Sequence, residues 1–341
     1  MKLESLKKFD SSFTILHGSS DLDVHGITDN HLLSPGHLVF IKNKIFLAEW
    51  FEKTQGGRET GVVIDKKFYE SLAEDQKQKL NAETLFLATA DNINLAISCL
   101  SKPFHDEKFK TPNDIVDGRQ MGSASVDSSA WIAQGAFVGE NVKIAADVKI
   151  HSGVVLMSGV EIAEGSEIFP NTVIYRNVKI GKGVRIHANC TIGADGFGYN
   201  FNKGEHVKVW HMGSVIIHDH VEVGANTCID GGTFSPTVIG VGTKIDNQVQ
   251  IGHNCRLGRG VIVCGMTAIA GSCKLEDFAV IAGQVAIADG ITIGTGAQVA
   301  GNSGVTGDVA PGVVVGGYPA RNIKEWLKGV AYLRKLTLSK E

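Results

Sequence analysis

Aliphatic residues recur at every sixth position between Val126 and Val305, in runs of 12, 3 and 12 six-residue units. The runs are separated by breaks after Ile192 and Ile229. A six-residue period fits neither the 3.6-residue turn of an α-helix nor the two-residue alternation of a long strand. It predicts short strands joined by corners, with three strands closing a coil of 18 residues.

The positions between these aliphatic residues also repeat. A small residue or valine usually follows four positions later, as at Ser166, Thr172 and Cys190, and Gly, Asn and Asp crowd the corners. Such corner residues tolerate positive φ. The coils are therefore expected to stack into a prism with a continuous aliphatic core.

The hexads resemble those of the left-handed parallel β-helix acyltransferases. The resemblance supplies the left-handed winding, because right-handed crossovers are the general rule. The expected fold class is mainly β: a left-handed parallel β-helix of hexapeptide repeats with an N-terminal α/β domain and a C-terminal helix.

The two ends of the chain have different patterns. Residues 1–115 are expected to form an α/β domain, with strands in "GHLVFI" and "TGVVID" and helices in "DQKQKL" and "NINLAISCL". Residues 116–319 are assigned to the β-helix, and 320–341 to a helix with an apolar stripe from Ile323 to Leu333. The expected role of this helix is to cap the prism. The alternative is a docking face for an acidic partner, because the segment holds six basic and two acidic residues.

The first break, from Gly198 to Ile216, is predicted to be a loop that leaves one corner of the prism. Aromatic residues are concentrated in and beside it, including Phe197, Tyr199 and Trp210. Loops on rigid scaffolds often carry recognition. The alternative is that these rings pack the loop against a coil or a neighbouring subunit.

Composition narrows the classes of function. A net charge of -3 gives no indication of nucleic-acid binding, and the six cysteines contain no C-x-x-C pair. No apolar run has the length of a signal-peptide core or a membrane helix. We expect a cytoplasmic protein with reduced thiols and no integral membrane segment.

His253, in "QIGHN", places a titratable ring at a corner of the repeat. Gly271 follows 18 residues later, so the imidazole and the Gly271 N–H are expected one strand spacing apart. This pairing suits acyl transfer, which needs a base and a fixed donor for the developing oxyanion. A metal site is the alternative, but His218 and His220 do not provide a ligand set at matching corners. We therefore expect no metal.

Two longer motifs, "IGADGFGY" and "IDNQVQIGHN", together with most of the chain, resemble the UDP-3-O-(3-hydroxyacyl)glucosamine N-acyltransferases of lipid A biosynthesis. The resemblance implies transfer of a 3-hydroxyacyl chain from acyl carrier protein to the 2-amine of a UDP-sugar. It assigns the general base to His253 and the oxyanion donor to Gly271. It also implies a homotrimer, and no cofactor beyond the 4'-phosphopantetheine that arrives on the carrier protein.

The resemblance further implies the residues that bind substrate. The family's uridine pattern F-x-x-N-x-x-(Y/F) is matched by "FIKNKIF", although core packing is the alternative for this strand end. A second histidine that family members often carry 37 residues beyond the base is replaced here by Gly290. The segment "GGYPA" resembles the place where pantetheine-type donors bind. The expected substrate contacts are Phe40, Asn43, Phe46, Asp195, Phe197, Tyr199, Asp246, Asn247 and Gln250, with Asp246 also a candidate for orienting His253.

Two other functions remain open from the sequence. A nucleotide-sugar N-acetyltransferase that uses acetyl-CoA would share the prism and the histidine. A non-catalytic β-solenoid scaffold would share the repeat, but would need neither the aromatic loop nor the histidine–glycine pair.

Overall fold

The computed structural model describes residues 1–54, 58–108, 122–317 and 322–338. The expected domain boundaries at 115/116 and 319/320 lie outside these ranges, as does the Tyr318–Ala320 part of the "GGYPA" segment. The domain limits therefore stay predictions.

The N-terminal domain is a five-stranded sheet with strand order β1-β5-β4-β3-β2, in which only β1 runs antiparallel to its neighbour. The two predicted strands and two predicted helices of this domain are confirmed, at His37–Ile41, Gly61–Asp65, Glu74–Glu83 and Ile93–Lys108. The pattern did not indicate the other strands or the helices Lys44–Thr54 and Lys66–Glu70. The elements are a 3-10 helix (Leu3–Lys8), β1 (Thr14–His17), β2 (Gly26–Ile27), β3 (His37–Ile41), α1 (Lys44–Thr54), β4 (Gly61–Asp65), α2 (Lys66–Glu70), α3 (Glu74–Glu83), β5 (Leu87–Ala90) and α4 (Ile93–Lys108).

The repeat region forms a prism with three parallel sheets, of ten, nine and nine strands in the described ranges. The first face contains Trp131–Ile132, Lys149–Ile150, Glu167–Ile168, Arg185–Ile186, Glu222–Val223, Lys244–Ile245, Ile262–Val263, Val280–Ile281, Gln298–Val299 and Val314–Val315. The second face contains Phe137–Val138, Val155–Leu156, Val173–Ile174, Thr191–Asp195, Cys228–Gly231, Gln250–Ile251, Ala268–Ile269, Ala286–Ile287 and Gly304–Val305. The third face contains Ser125–Val126, Lys143–Ile144, Glu161–Ile162, Lys179–Ile180, Val215–Ile217, Thr237–Ile239, Arg256–Leu257, Lys274–Leu275 and Thr292–Ile293.

The 18-residue register confirms the predicted coil. Ile150 pairs with Ile168, and Ile168 with Ile186, so like residues stack along one face. The aliphatic residues point inward and form one continuous buried cluster from Val138 to Val309. The fold class is therefore the expected parallel β-helix of hexapeptide repeats with an N-terminal α/β domain and a C-terminal helix. The left-handed winding stays a prediction from the resemblance.

Corners of the prism hold backbone in the left-handed region, as the sequence indicated. Asn141, Asn171 and Asn254 have φ of 58°, 62° and 61°. Asparagine adopts this conformation more readily than most residues because its short side chain bonds locally. The corner composition is thus a direct consequence of the coil geometry.

Both breaks in the repeat dock against the N-terminal domain. The first break contains a hairpin, Tyr199–Asn202 with Glu205–Lys208, and the Asn200 Nδ2 donates to the Asn94 carbonyl at 2.8 Å and to Ser98 Oγ at 2.6 Å. In the second break, Ser235 Oγ donates to Asp29 Oδ2. Packing of the loop is therefore part of its role, but against the N-terminal domain as well as the coil.

The last helix, α5 (Ile323–Leu338), does not cap the prism, so that expectation is wrong for the single chain. Each of residues 322–336 is exposed, and Ile323 and Leu333 expose 63% and 64% of their surface. The apolar stripe has no partner among the described residues of this chain. No helix in the described ranges combines the length and the apolar character needed to cross a bilayer.

Candidate active site

The predicted juxtaposition of His253 and Gly271 is present. His253 lies at the corner between the second and third faces, and its carbonyl accepts from the Ser272 N–H of the next coil at 2.7 Å. A Cβ placed on Gly271 would lie 2.6 Å from His253 Nε2. Real Cβ atoms do not approach so closely, so a residue without a side chain is needed where the ring meets the neighbouring coil.

Hydrogen bonds fix which ring nitrogen of His253 carries the proton. His253 Nδ1 lies 3.0 Å from Asn254 Oδ1, and that oxygen also accepts from the Thr233 N–H at 3.0 Å and the Thr233 hydroxyl at 2.8 Å. The backbone N–H can only donate, so the Asn254 atom is an acceptor and Nδ1 carries the proton. Nε2 therefore holds the free lone pair, on the side that faces Gly271.

The Gly271 N–H donates to no acceptor among the described residues, whereas its carbonyl accepts from the Gly290 N–H at 3.0 Å. An unpaired backbone donor beside an unprotonated imidazole nitrogen matches the arrangement required for acyl transfer. The donor is held by a rigid coil, so it needs no reorganisation when negative charge develops.

A cavity of about 610 Å³ opens in front of this pair. Its charged lining consists of Asp195, Asp230, Asp289 and Lys208, and the Lys208 ammonium lies 2.6 Å from Asp195 Oδ2. Burial raises the pKa of the Asp230 carboxyl, while a hydrogen bond from Gln250 and the proximity of His253 act in the opposite direction. The carboxylates provide acceptors for amine or hydroxyl groups of a ligand near His253.

Four of the expected substrate contacts line this cavity. Asp195, Phe197 and Tyr199 come from the second-face strand Thr191–Asp195 and the residues after it, and Gln250 immediately precedes the histidine corner. Phe197 exposes 85% of its surface, and its ring lies 5.1 Å from that of Tyr199. These exposed rings offer an apolar wall at the mouth of the cavity.

Asp246 and Asn247 lie elsewhere, at the corner between the first and second faces. Asp246 Oδ2 accepts from the Gly265 N–H at 3.0 Å, and Asn247 Oδ1 accepts from the Ala225 N–H at 2.7 Å. The suggestion that Asp246 orients His253 is wrong, because Asn254 occupies that position. The six residues between Asp246 and His253 include a whole strand, Gln250–Ile251, which carries the chain from one corner to the next.

The uridine-like segment lies in the N-terminal domain. Phe40 is buried with its ring 6.3 Å from that of Phe234, so core packing holds for this residue. Asn43 Oδ1 accepts from the Ile45 N–H at 2.9 Å and caps the start of α1. Phe46 is partly exposed at 37%. None of the three lines the cavity at His253.

Sequence reasoning missed several residues of the site. Asp289 follows His253 by 36 residues, two coils further along, and its Oδ1 lies 3.1 Å from the point that a Cβ on Gly271 would occupy. The 18-residue register could have found it. Asp230 could not be found that way, because the second break shifts the register so that Cys228 pairs with Gln250.

Gly290, where family members often carry a histidine, has φ of 71° and open space around its Cα. Among the described residues, no group of three or more His, Cys, Asp or Glu side chains has the arrangement of a metal site.

Comparisons with known proteins agree with the repeat and the motifs. Residues 159–194 match the bacterial transferase hexapeptide (six repeats) family model. The chain is 57% identical over 155 residues to a UDP-3-O-acylglucosamine N-acyltransferase of Azorhizobium caulinodans, which covers 46% of this chain and 43% of that protein. It is 51% identical over 140 residues to the enzyme of the same name from Campylobacter jejuni subsp. doylei, covering 41% of this chain and 44% of the relative. The chain thus matches less than half the length of these curated relatives.

Solved structures with some likeness include a UDP-N-acetylglucosamine acyltransferase from Campylobacter jejuni, at 24% identity and a TM-score of 0.41, covering 56% of this chain and 70% of that one. Another is the acyltransferase of the same name from Francisella novicida, at 27% identity and a TM-score of 0.39, covering 60% and 71%. Likeness at this level supports no conclusion about activity.

Proposed function

We propose that this protein transfers a 3-hydroxyacyl chain from acyl carrier protein to the 2-amine of UDP-3-O-(3-hydroxyacyl)glucosamine. The observation that carries the proposal is the approach of His253 Nε2 to Gly271, whose N–H is unpaired, at the wall of a cavity of about 610 Å³. Local similarity to curated enzymes that bear this name supports the choice of substrate class.

The chemistry follows from the tautomer of His253. The neutral 2-amine attacks the thioester carbonyl carbon, and a C–N bond forms as the carbonyl oxygen becomes an oxyanion. His253 Nε2 takes the amine proton, and the Gly271 N–H donates to the oxyanion. The C–S bond then breaks, the phosphopantetheine sulfur leaves and receives the proton from His253, and an amide remains on the sugar.

The remaining assignments are part of the same proposal. The phosphopantetheine belongs to the carrier protein, so the enzyme itself binds no cofactor and no metal. The exposed basic helix α5 offers complementary charge to an acidic carrier protein. We place the reaction in the cytoplasm, in keeping with six cysteines that are all free thiols. The proposed assembly is a homotrimer.

The test is an acyl-transfer assay read by mass spectrometry, with the full chain, the UDP-sugar amine and either 3-hydroxyacyl carrier protein or acetyl-CoA. We expect an N-acylated product with the 3-hydroxyacyl carrier protein and none with acetyl-CoA.

His253→Ala should lower turnover by about 10²–10⁴, the usual contribution of a general base. His206→Ala, on the hairpin beside Phe201, is the matched control and should remain active. Turnover of His253→Ala close to that of the unchanged protein would contradict the role of His253, and product from acetyl-CoA alone would indicate an acetyltransferase.

A further inference from the structure

A second histidine, His211, lies against His253. It belongs to the first break, and its ring centroid lies 5.3 Å from that of His253 with the two planes at 74°. His211 is buried, with 4% of its surface exposed. The buried His211 ring therefore packs edge-to-face against the His253 ring and limits its rotation.

Two glycines make this packing feasible. A Cβ on Gly196 would lie 2.5 Å from the His253 Cβ, and a Cβ on Gly198 would lie 2.9 Å from the His211 Cε1. The glycines on either side of Phe197 thus let the loop backbone approach both imidazoles. The "GFG" sequence is explained by this close approach.

The orientation of His211 is fixed by one hydrogen bond. Its Nδ1 lies 2.9 Å from the Val209 carbonyl oxygen, which only accepts, so Nδ1 carries the proton. Its Nε2 is then an acceptor, and it is buried without a partner among the described residues. A buried unpaired acceptor costs stability, and such groups call for an explanation.

His211 is also uncharged at neutral pH. Burial and the proximity of His253 lower the pKa of His211 to about 4, with Lys208 acting in the same direction and Asp195 against it. A neutral ring adds no positive charge beside the base. It packs against the base without competing for the proton that His253 must accept.

We propose that His211 is a positioning residue: it holds the His253 ring in the orientation that presents Nε2 to the cavity. This inference rests on the proposed function for its kinetic part, and on the geometry alone for its structural part. The Val209 anchor sets His211, and the edge-to-face contact of His211 in turn restricts the His253 ring.

The first measurement is a two-bond ¹H–¹⁵N correlation spectrum of the histidine rings, which needs no substrate. In the unchanged protein we expect His253 to give one sharp Nδ1–H tautomer. His211→Leu fills the space but loses the anchor to Val209, so the His253 signals should broaden or show both tautomers. His211→Asn keeps an N–H donor near the Nδ1 position, so it should retain the single tautomer.

The second measurement is kinetic. We expect His211→Leu to lower kcat about tenfold or more, because displacing a reacting group by about 1 Å can cost about a hundredfold. KM for both substrates should stay within about twofold. His211→Asn should recover most of kcat, and His206→Ala serves as the control. Should His211→Leu fail to fold, Gly198→Ala pushes on the same ring from 2.9 Å and should act in the same direction.

Unchanged kcat and unchanged His253 signals in folded His211→Leu would overturn the proposal. A rise in KM alone would also overturn it, because it would make His211 a substrate contact. If the unchanged protein shows no acyl transfer, or His253→Ala keeps its turnover, the proposed function fails. The ring spectra still decide whether His211 positions His253.

Discussion

At the scale of single residues, the site depends on glycines that stand where a side chain would collide with an imidazole. Gly271 touches the Nε2 side of His253, and Gly196 touches its Cβ side. Neither glycine has a positive φ, so both are required by space and not by backbone conformation. The ring is therefore enclosed by backbone.

Gly271→Ala tests this enclosure. The added methyl would lie 2.6 Å from His253 Nε2, so the ring must turn away from the Gly271 N–H. We expect kcat to fall about a hundredfold, in the range produced by losing one oxyanion donor or misplacing the base, with a folded protein. Steady-state acyl-transfer rates and circular dichroism melting provide the measurements.

Gly304→Ala is the matched control, because a Cβ there would meet open space. It should retain both activity and fold. If Gly271→Ala were as active as Gly304→Ala, the close approach of His253 to the coil would not matter for the reaction.

The register explains which site residues the sequence could predict. His253, Gly271 and Asp289 are spaced by 18, so periodicity alone places them at one corner. Asn254 follows His253 directly, but its partner Thr233 lies across the second break. His211 comes from within the first break, whose fold no period describes. Thr233 and His211, which contact Asn254 and the His253 ring, thus lie in the segments where the repeat fails.

At the scale of elements, a ladder of small polar side chains ties successive coils together inside the prism. Thr172 Oγ1 donates to the His187 carbonyl at 2.9 Å, and Thr267 Oγ1 to the Ala282 carbonyl at 2.9 Å, each spanning 15 residues. The Cys255 and Cys273 thiols make the same bond at 3.1 Å. The small polar residues found four positions after the aliphatic residues therefore donate hydrogen bonds to corner carbonyls that have no backbone partner within the described part of the chain.

Thr267→Val removes one rung without changing the side-chain volume greatly. The Ala282 carbonyl and the Val285 N–H both lose the hydroxyl, which binds them at 2.9 and 3.3 Å. We expect the free energy of unfolding to fall by about 1–2 kcal/mol, the usual cost of leaving buried polar groups unsatisfied. Urea denaturation followed by circular dichroism measures it.

Thr267→Ser keeps the hydroxyl and is the comparison for this variant. It loses a methyl group but retains both hydrogen bonds. Equal stability of Thr267→Val and the unchanged protein would show that the valines at other rungs are equivalent to threonine, and that the ladder is not a stabilising device.

The element pattern was easier to predict in the prism than in the N-terminal domain. Six-residue spacing gives the strand positions directly, because each inward aliphatic residue marks one. Helix α1 is not predicted because its first residues belong to "FIKNKIF", which resembles a uridine-binding motif. Asn43, which caps the start of this helix, is interpreted from the sequence as a ligand contact. An asparagine side chain can cap a helix or pair with a nucleobase, and the local sequence does not distinguish these two roles.

At the scale of the whole molecule, the two breaks in the repeat join the prism to the N-terminal domain. Met212 belongs to the same buried cluster as Phe40 and Phe13, with Val209 and Phe234 packed against it. The loop that carries His211 is thus held from both sides, by the coil and by the domain. The position of the loop that carries His211 therefore depends on domain docking.

Phe234→Ala tests this dependence. The ring contacts Phe40 from the second break, and its removal should weaken the docking by about 2 kcal/mol, as expected for losing a partly buried aromatic side chain. We expect faster amide hydrogen exchange in β3 and α4, and in residues 209–212, measured by mass spectrometry. Exchange in the early coils, such as Lys149–Ile150 and Arg185–Ile186, should not change, because each coil of a solenoid contacts only its neighbours.

Phe201→Ala is the matched control, since that ring is 68% exposed on the hairpin and its loss should leave the exchange rates of all these segments unaltered. Equal exchange in the two variants would mean that the domain is held by contacts other than the second break, and the loop with His211 would then be fixed by the coil alone.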